Sequence, residues 1–538
     1  MDNQRLILLL VFFFSLMMLW SNWQQYNQPQ PVATAAAPAA AKSGPGAAAI
    51  DANVPTPAMK AAPGMQAPVG AAAIVHGGET MRVRTDMVEA LISAQGGDII
   101  ELKLLHHHES GDAAKSFILL GSRHAYAAQS GLIGAGLPNH KSTWTLPTRE
   151  MQLQDGQQEL VVALEAPLAN GGKVIKTYVF HRGGYLIDVR HEFVNAAAPP
   201  GAFAYYQLTR DSEGPDGGNQ MMVTFTGAAI YTEEEKFRKV SFDDFGLKDA
   251  HVTEASNGWV AMVQHYFFTA WLPSGQREYF TRKLGGNLFA AGVITPYSSE
   301  PVRFYGGPQE QDKLDAIAPG LALVVDYGWL TLIAAPLFWV LEWINKFVGN
   351  WGWSIILLTI LVKGLFFPLS AASYKSMAKM RLLTPKLMKL KEVYADDRQR
   401  MNQEMMELYK REKVNPLGGC LPIMVQIPVF IALYWVLMGT VEMRGAPWFG
   451  WITDLSVRDP WFVLPLLMGA SMFVQTKLNP TPPDPLQAKI MLWMPVAMTV
   501  MFLFFPAGLV LYWTVNNLLS IAQQWQVNRM IERARKVH

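Results

Sequence analysis

Residues 350–369 read NWGWSIILLTILVKGLFFPL, and the reading of this stretch decides the fold. The apolar segment Trp353–Ala371 is long enough to cross a bilayer as a helix, since about 20 residues span a hydrocarbon core of about 30 Å. It carries one cation, Lys363, six residues before Leu369. At about 1.5 Å per residue that places the charge about 9 Å from the inner end of the segment. A lysine in lipid costs about 2.5–3.5 kcal/mol on insertion scales, and such a residue normally faces a partner or a water-filled cavity. Its long stem also permits the charge to snorkel to the headgroups.

Four further apolar segments follow: Leu421–Thr440, Trp461–Thr476, Ile490–Phe505 and Leu509–Ile521. The connections between them differ in charge. Residues 370–415 carry 11 Lys and Arg, whereas the cations of residues 441–460 are Arg444 and Arg458 alone. Lys477 and Lys489 flank the next connection, residues 506–508 are uncharged, and Arg529, Arg533, Arg535 and Lys536 close the chain. Basic segments stay in the cytoplasm, which yields one consistent alternation. Near the start, Leu6–Trp20 is an apolar run behind Arg5 with Trp20 and Trp23 at its edge. Bulky polar residues rather than small-x-small follow it, so it reads as a retained anchor and not a cleaved signal. The expected protein is therefore a polytopic α-helical membrane protein with six transmembrane helices, five of them forming a core, and both termini cytoplasmic. Two of the segments are short, about 24 Å of helix, which favours local bilayer thinning. The apolar run Leu321–Leu341 would upset the charge alternation if it crossed. We expect residues 321–349 to be an interfacial amphipathic region, with Leu337, Leu341, Ile344 and Val348 on one face and Glu342, Asn345 and Lys346 on the other.

The composition agrees. Charged residues are 16% of the 538, and half the chain is hydrophobic; a disordered chain would be polar and highly charged. Cys420, the single cysteine, excludes a disulfide scaffold. The net charge of +2 is a cancellation: residues 74–320 hold 21 Lys and Arg against 28 Asp and Glu, and residues 321–538 hold 21 against 13. Two compartments follow from that split. No phosphate-binding G-x-x-x-x-G-K-[ST] or metalloprotease H-E-x-x-H occurs. Ser376-Met377-Ala378-Lys379 fits S-x-x-K but lacks the companion motifs of that enzyme class. No catalytic residue, metal or cofactor is expected, and no specific nucleic acid sequence.

The domains expected are an anchor (1–26), an Ala/Pro-rich flexible linker (27–73), a periplasmic β-sandwich (74–320), the interfacial region (321–349), a core (350–528) and a basic cytoplasmic tail (529–538). Within the sandwich, Lys173–Phe180 and Tyr185–Val194 alternate across His181-Arg182-Gly183-Gly184, a hairpin signal. Other strand candidates are Glu159–Leu164, Met221–Phe225 and Trp259–Trp271. His106-His107-His108 on a strand would point to alternate faces, so it reads as a solvated tract rather than a metal site. Residues 371–415 have helical spacing around Ala395-Asp396-Asp397 and form a cytoplasmic helical hairpin, with Pro385 in the first arm and an Asp capping the second. Met377, Met380, Met388, Met401, Met405 and Met406 lie on it. Methionines suit varied apolar partners and also suit packing of the two arms.

The helices offer Lys363 no intramembrane Asp or Glu, which fits a hydrated pocket better than a proton relay. Gln426, Thr359 and Asn516 are polar groups at comparable depths. The residues Asn350-Trp351-Gly352-Trp353, Val362-Lys363-Gly364-Leu365-Phe366-Phe367-Pro368-Leu369, Asn415-Pro416-Leu417-Gly418-Gly419-Cys420-Leu421-Pro422, Gln426-Ile427-Pro428-Val429-Phe430 and Phe505-Pro506-Ala507-Gly508-Leu509-Val510-Leu511-Tyr512-Trp513 together resemble the YidC/Oxa1/Alb3 membrane protein insertase family. The resemblance is specific over about residues 350–528, and the anchor, linker and β domain resemble the layout of its Gram-negative bacterial branch. It implies a five-helix core around a hydrophilic groove, open to cytoplasm and lipid and closed outward. It implies that Lys363 stands where the family usually has Arg, with Gln426, Thr359, Trp513, Asn516 and Pro428 as the other groove candidates. Trp513 stands where the family commonly has Tyr. The methionine hairpin would receive substrates. Nascent membrane proteins, the Sec translocon, the ribosome, a signal-recognition receptor and membrane lipids are the implied partners, in the bacterial inner membrane. The competing reading is a polytopic solute transporter with a ligand-binding β domain, but the repeats and midplane carboxylates of such proteins are not found.

Overall fold

In the computed structural model, residue 55 and residues 78–109, 112–214, 225–246, 254–325, 327, 330–394, 397–412, 421–478 and 485–536 are described. The expected anchor, and the expected linker apart from residue 55, lie outside these residues, as do residues 221–224 and 413–420 and the side chain of Met377.

Between Thr80 and Pro308 the chain forms two β-sheets around one apolar core. One sheet runs in the order Glu278–Gly285, Leu288–Pro296, Phe203–Asp211, Ala127–Ile133, Ile99–Glu109, Val88–Ser93, Thr80–Arg84 and Glu150–Gln152, with Asp112–Leu120 paired onto Ile99–Glu109. The other runs Lys236–Val240, Gly227–Thr232, Trp259–Val263, Phe267–Leu272, Val302–Pro308, Leu186–Val194, Lys173–His181 and Glu159–Pro167. The expected hairpin forms, with Lys173 opposite Val194 and Phe180 opposite Ile187. The candidate Trp259–Trp271 is two strands, not one. They turn at Gln264–Tyr266, where Gln264 N–H donates to Phe267 O and Tyr266 adopts a φ of +68°. Both strands are buried on both faces, because Leu314, Ala318, Leu321, Val324, Val325 and Tyr327 cover the outer side of this sheet. Alternation, the usual mark of a strand, is therefore missing, and an aromatic turn hides the break.

Lys173–His181 turns Val174, Lys176, Tyr178 and Phe180 into the core, so a lysine occupies an apolar-face position. Lys176 Nζ is 3.1 Å from Asp98 Oδ1 of the opposite sheet, and also donates to the carbonyls of Gly96 and Ser130. Neither side chain is more than 1% exposed.

The helices follow: α1 (Gln311–Ile317), α2 (Thr331–Val348), α3 (Trp351–Leu365), α4 (Phe367–Val393), α5 (Arg398–Arg411), α6 (Leu421–Gly439), α7 (Val463–Leu478), α8 (Pro485–Phe502) and α9 (Ala507–Lys536). The face expected for the interfacial region is corrected. Helix α2 buries Ala334, Phe338, Leu341 and Ile344, while Val348 is exposed and Leu332, Trp339, Trp343 and Phe347 stand outward. The charged strip is reduced to Glu342 and Lys346, paired at 2.7 Å, so the helix is apolar on two sides. Among the described residues it is the one unbroken helix long and apolar enough to cross a membrane. The first core segment does not run to Ala371. Pro368 cannot continue an N–H ladder and its ring opposes the preceding turn, so α3 ends at Leu365 and the chain bends by 63° into α4. The last segment runs on without a break, so residues expected in a separate tail are helical to Lys536.

The Asn350-Trp351-Gly352-Trp353 motif acquires a physical reason. Asn350 Oδ1 caps α3 by accepting from Trp353 N–H, and its amide donates to the carbonyls of Pro447 and Trp448. Trp448 lies directly on Gly352, where any Cβ would meet the indole at 2.2 Å. In the same connection the buried Asp459 accepts from Trp451 Nε1, Trp461 N–H and Leu464 N–H, and Val457 and Leu455 accept from the N–H groups of Ala507 and Gly508. This loop thereby ties together the N-terminal ends of α3, α7 and α9.

Strand and helix parts meet where α6 ends. His265 Nε2 is 2.9 Å from Met438 O, Val441 joins the sandwich core, and Arg444 reaches His108 O. The three histidines alternate as expected, but His107 is turned in, edge-on to Phe267, rather than solvated. Burial, and then neighbouring Arg444, lowers His107 to about 4. Burial also lowers His265 to about 4, against the pull of the Met438 carbonyl. Both folded values lie below the ordinary 6.5, so the neutral rings contribute fully above about pH 6.5 and that contribution is lost as pH falls through about 4. Amide-exchange protection factors at residues 264–267 and 438–444 are expected to be high at pH 7 and reduced at pH 4. Equal protection at both values would show that the rings are not held neutral by the junction.

Candidate functional site: a polar cluster among the helices

Because α3 stops at Leu365, Lys363 lies in its last turn, where the negative end of the helix favours a cation. The side chain does not snorkel outward: it is only 6% exposed. Its Nζ donates to Ser520 Oγ at 2.8 Å and to Gln426 Oε1 at 3.4 Å. Gln426 Nε2 donates in turn to Asn516 Oδ1 at 2.8 Å, and Ser520 Oγ donates to Asn516 O at 2.8 Å. Gln523 Nε2 reaches the Lys363 carbonyl at 3.2 Å, capping an orphan acceptor at the end of α3. Three helices, α3, α6 and α9, thus converge on one ammonium. Among the described residues its acceptors are neutral, and they number two against the three N–H donors of a lysine.

Lys363, Gln426 and Asn516 are brought together as candidate site residues. Ser520 and Gln523 are additions that sequence reasoning missed. Their signal was present, because Asn516, Ser520 and Gln523 recur at helical spacing and share one face of α9. A second strip of α9 serves packing instead: Asn517 Nδ2 donates to Ser471 Oγ and Gln524 Nε2 to Leu478 O, both on α7.

Thr359 is buried one turn before Lys363, but its hydroxyl donates to its own helix at Ile355 O, 2.6 Å away, and not to the cluster. Trp513 packs edge-on against Phe430 at 4.4 Å and tilted against Phe502 at 4.9 Å, forming an apolar wall beside the polar residues. Pro428 is half-buried inside α6, where its missing N–H interrupts the ladder two residues from Gln426.

On α4 and α5 the methionines divide. Met380 and Met405 join Leu383, Leu387 and Leu408 between the two helices, Met401 is half-buried, and Met388 and Met406 are exposed. Asp397 Oδ1 caps α5 by accepting from Arg400 N–H. Lys386 pairs with Glu412 at 2.6 Å. Both uses of methionine, packing and display, are therefore present.

Residues 80–340 match a family described as the YidC periplasmic domain, and residues 343–534 match one described as the 60Kd inner membrane protein. A membrane protein insertase YidC from Aromatoleum aromaticum is 57% identical over 99% of this chain and 98% of its own length. One from Dechloromonas aromatica is 56% identical over 100% of this chain and 99% of its own. Among solved structures, an active YidC insertase with its first transmembrane domain resolved aligns with 85% of this chain and 93% of its own, at 18% identity and a TM-score of 0.41.

Proposed function

The chain belongs to the YidC family of membrane protein insertases, and on that premise we propose that Lys363, Gln426, Asn516, Ser520 and Gln523 form the polar bed on which it carries a nascent chain into the membrane. It is a membrane protein, its activity is insertion and not an enzymatic reaction, and nascent membrane proteins are its substrates. The solute-transporter reading finds no support among the relatives.

The observation that carries the site is the buried ammonium of Lys363, held among the described residues by two neutral acceptors against its three N–H donors. A polar tail crossing lipid loses its water, and an uncompensated amide or hydroxyl costs about 2–7 kcal/mol on the way. Side-chain amides and a hydroxyl at intermediate depth replace part of that hydration. The spare donor of Lys363 takes an acidic group by a charge-assisted bond. Neutral neighbours leave the cation available, where a carboxylate partner would neutralise it. Trp513, with Phe430 and Phe502, forms the apolar wall along which the hydrophobic segment slides, Thr359 lies buried one turn before Lys363, and Pro428 leaves the backbone of α6 adjustable beside Gln426.

The wider organisation we propose is that of six spans, the anchor 1–26 being the first. Both termini are cytoplasmic, the β domain lies in the periplasm and residues 321–349 rest at the bilayer interface of the inner membrane. The hairpin 371–415 receives substrate on the cytoplasmic side, where its exposed Met388 and Met406 are adaptable contacts. Its 11 cations suit a ribosome or a signal-recognition receptor, and the Sec translocon is the further partner. A photo-crosslinker at position 426, 359 or 513 is expected to capture a ribosome-stalled nascent chain, while one at exposed Trp493 of α8 captures lipid. Equal capture at all four positions, or none at 426, would remove the polar bed as the route.

A further inference from the structure

Arg444 lies in the turn after α6, and three elements of the β domain converge on it. Its guanidinium is 4.8 Å from the Phe117 ring centroid, 5.1 Å from that of Phe267 and 5.7 Å from that of Tyr266. Its Nη2 donates to the His108 carbonyl at 2.6 Å. Phe117 and His108 belong to the first sheet, and Tyr266 and Phe267 to the tip of a hairpin in the second. One residue of the helical part therefore grips both sheets at once. Beside it, Val441 is 2% exposed and packs into the sandwich core, and His265 is bonded to Met438 O at the last turn of α6.

The direct contacts of this cation are separable ones. Among the described residues no carboxylate is within ion-pair distance of Arg444, with Asp454 and Glu109 acting on it only from farther away, so its direct contacts are ring faces and one carbonyl. Each ring interaction is worth about 0.5–2 kcal/mol, more when water is excluded. Undocking returns the guanidinium to water and exposes Phe117, and it also parts the apolar contacts that Val441 and Met443 make beside it, so Arg444 supplies the polar share of the docking. We propose that Arg444 is the anchor of an intramolecular latch that sets the orientation of the β domain on the membrane part, through a cage of Phe117, Tyr266 and Phe267.

The test uses the full chain with Cys420 replaced by Ser and a probe cysteine at Val441→Cys. Maleimide reaches this buried position only when the latch opens, so the labelling rate follows the undocked population even when that population is small. Arg444→Ala is expected to raise the rate about tenfold, and Arg444→Lys to restore most of the protection. Phe117→Ala, on the β side of the cage, should raise it similarly, and the double variant should rise no further. A control cysteine at Val162→Cys, inside the sandwich, should label at an unchanged rate. An unchanged rate in Arg444→Ala overturns the latch, as does strict additivity with Phe117→Ala. A parallel rise at position 162 also overturns it, since the domain would then be unfolding and not undocking.

Discussion

Lys363→Ala is expected to reduce insertion of a substrate with an acidic translocated tail by about ten- to a hundredfold in reconstituted vesicles. The size follows from the bond between ammonium and tail that alanine cannot make. A hydrogen bond to a charged group is worth about 1.5–3 kcal/mol, and about 1.4 kcal/mol is a factor of ten. The truncation also leaves Gln426 Oε1 and Ser520 Oγ without their donor, which loosens the junction of α3, α6 and α9. Two comparisons separate charge from packing. Lys363→Arg keeps the charge and should retain most activity, its longer planar head still reaching Ser520. A substrate with a neutral, short tail should lose far less in Lys363→Ala than the acidic one. Insertion of the acidic substrate at the wild-type rate would remove the ammonium from the mechanism, and equal losses for both substrates would reduce it to a packing role.

The second large effect lies in the β domain and concerns stability. Lys176→Met is expected to destabilise the sandwich by about 3–5 kcal/mol, the usual result of removing one member of a buried ion pair. The methionine fills the space but leaves Asp98 buried without its counter-charge, bonded only by the N–H of Ser130 and the side chain of Gln129 among the described residues. Burial already raises Asp98 to about 7 with Lys176 in place. Without the ammonium the carboxyl is tolerated only in its protonated form, so the deficit should grow as pH rises through about 7, where the carboxyl of the intact pair ionises. For a domain of this size the melting temperature should fall by roughly 10 °C at neutral pH. Adding Asp98→Leu should recover most of the loss, because a well-packed apolar pair can replace a buried ionic one. A melt unchanged by Lys176→Met alone would mean that the pair is hydrated in solution.

How much of this was legible in the sequence depended on whether a signal was local. The Lys173–His181 hairpin was readable because alternation and a Gly-Gly turn both lie close together along the chain, and Lys363 because a cation in an apolar run is conspicuous. Trp259–Trp271 was misread because cover on the second face, supplied by Leu314, Ala318, Leu321, Val325 and Tyr327, erases the alternation. The early end of α3 at Leu365 was signalled by Pro368, but apolar composition on both sides masked it. Ser520 was passed over because a hydroxyl in a transmembrane helix usually bonds its own backbone. It does so here too, donating to Asn516 O while its lone pairs receive Lys363. Lys176 was invisible as a core residue because only the fold brings Asp98 to it.

The loop anchored by Asn350 and Asp459 has a consequence for ion leakage. A water-filled pore through the helices would require α3, α7 and α9 to part at this end. Parting breaks the bonds from Asn350 to Pro447 and Trp448 and those from Ala507 and Gly508 to Val457 and Leu455, while Asp459 holds the loop itself in shape. At about 1 kcal/mol net for each of the four, their rupture leaves an open conduit populated on the order of once in a thousand molecules. On the route proposed above, a polar tail would cross without that conduit opening, and the membrane potential would survive each passage.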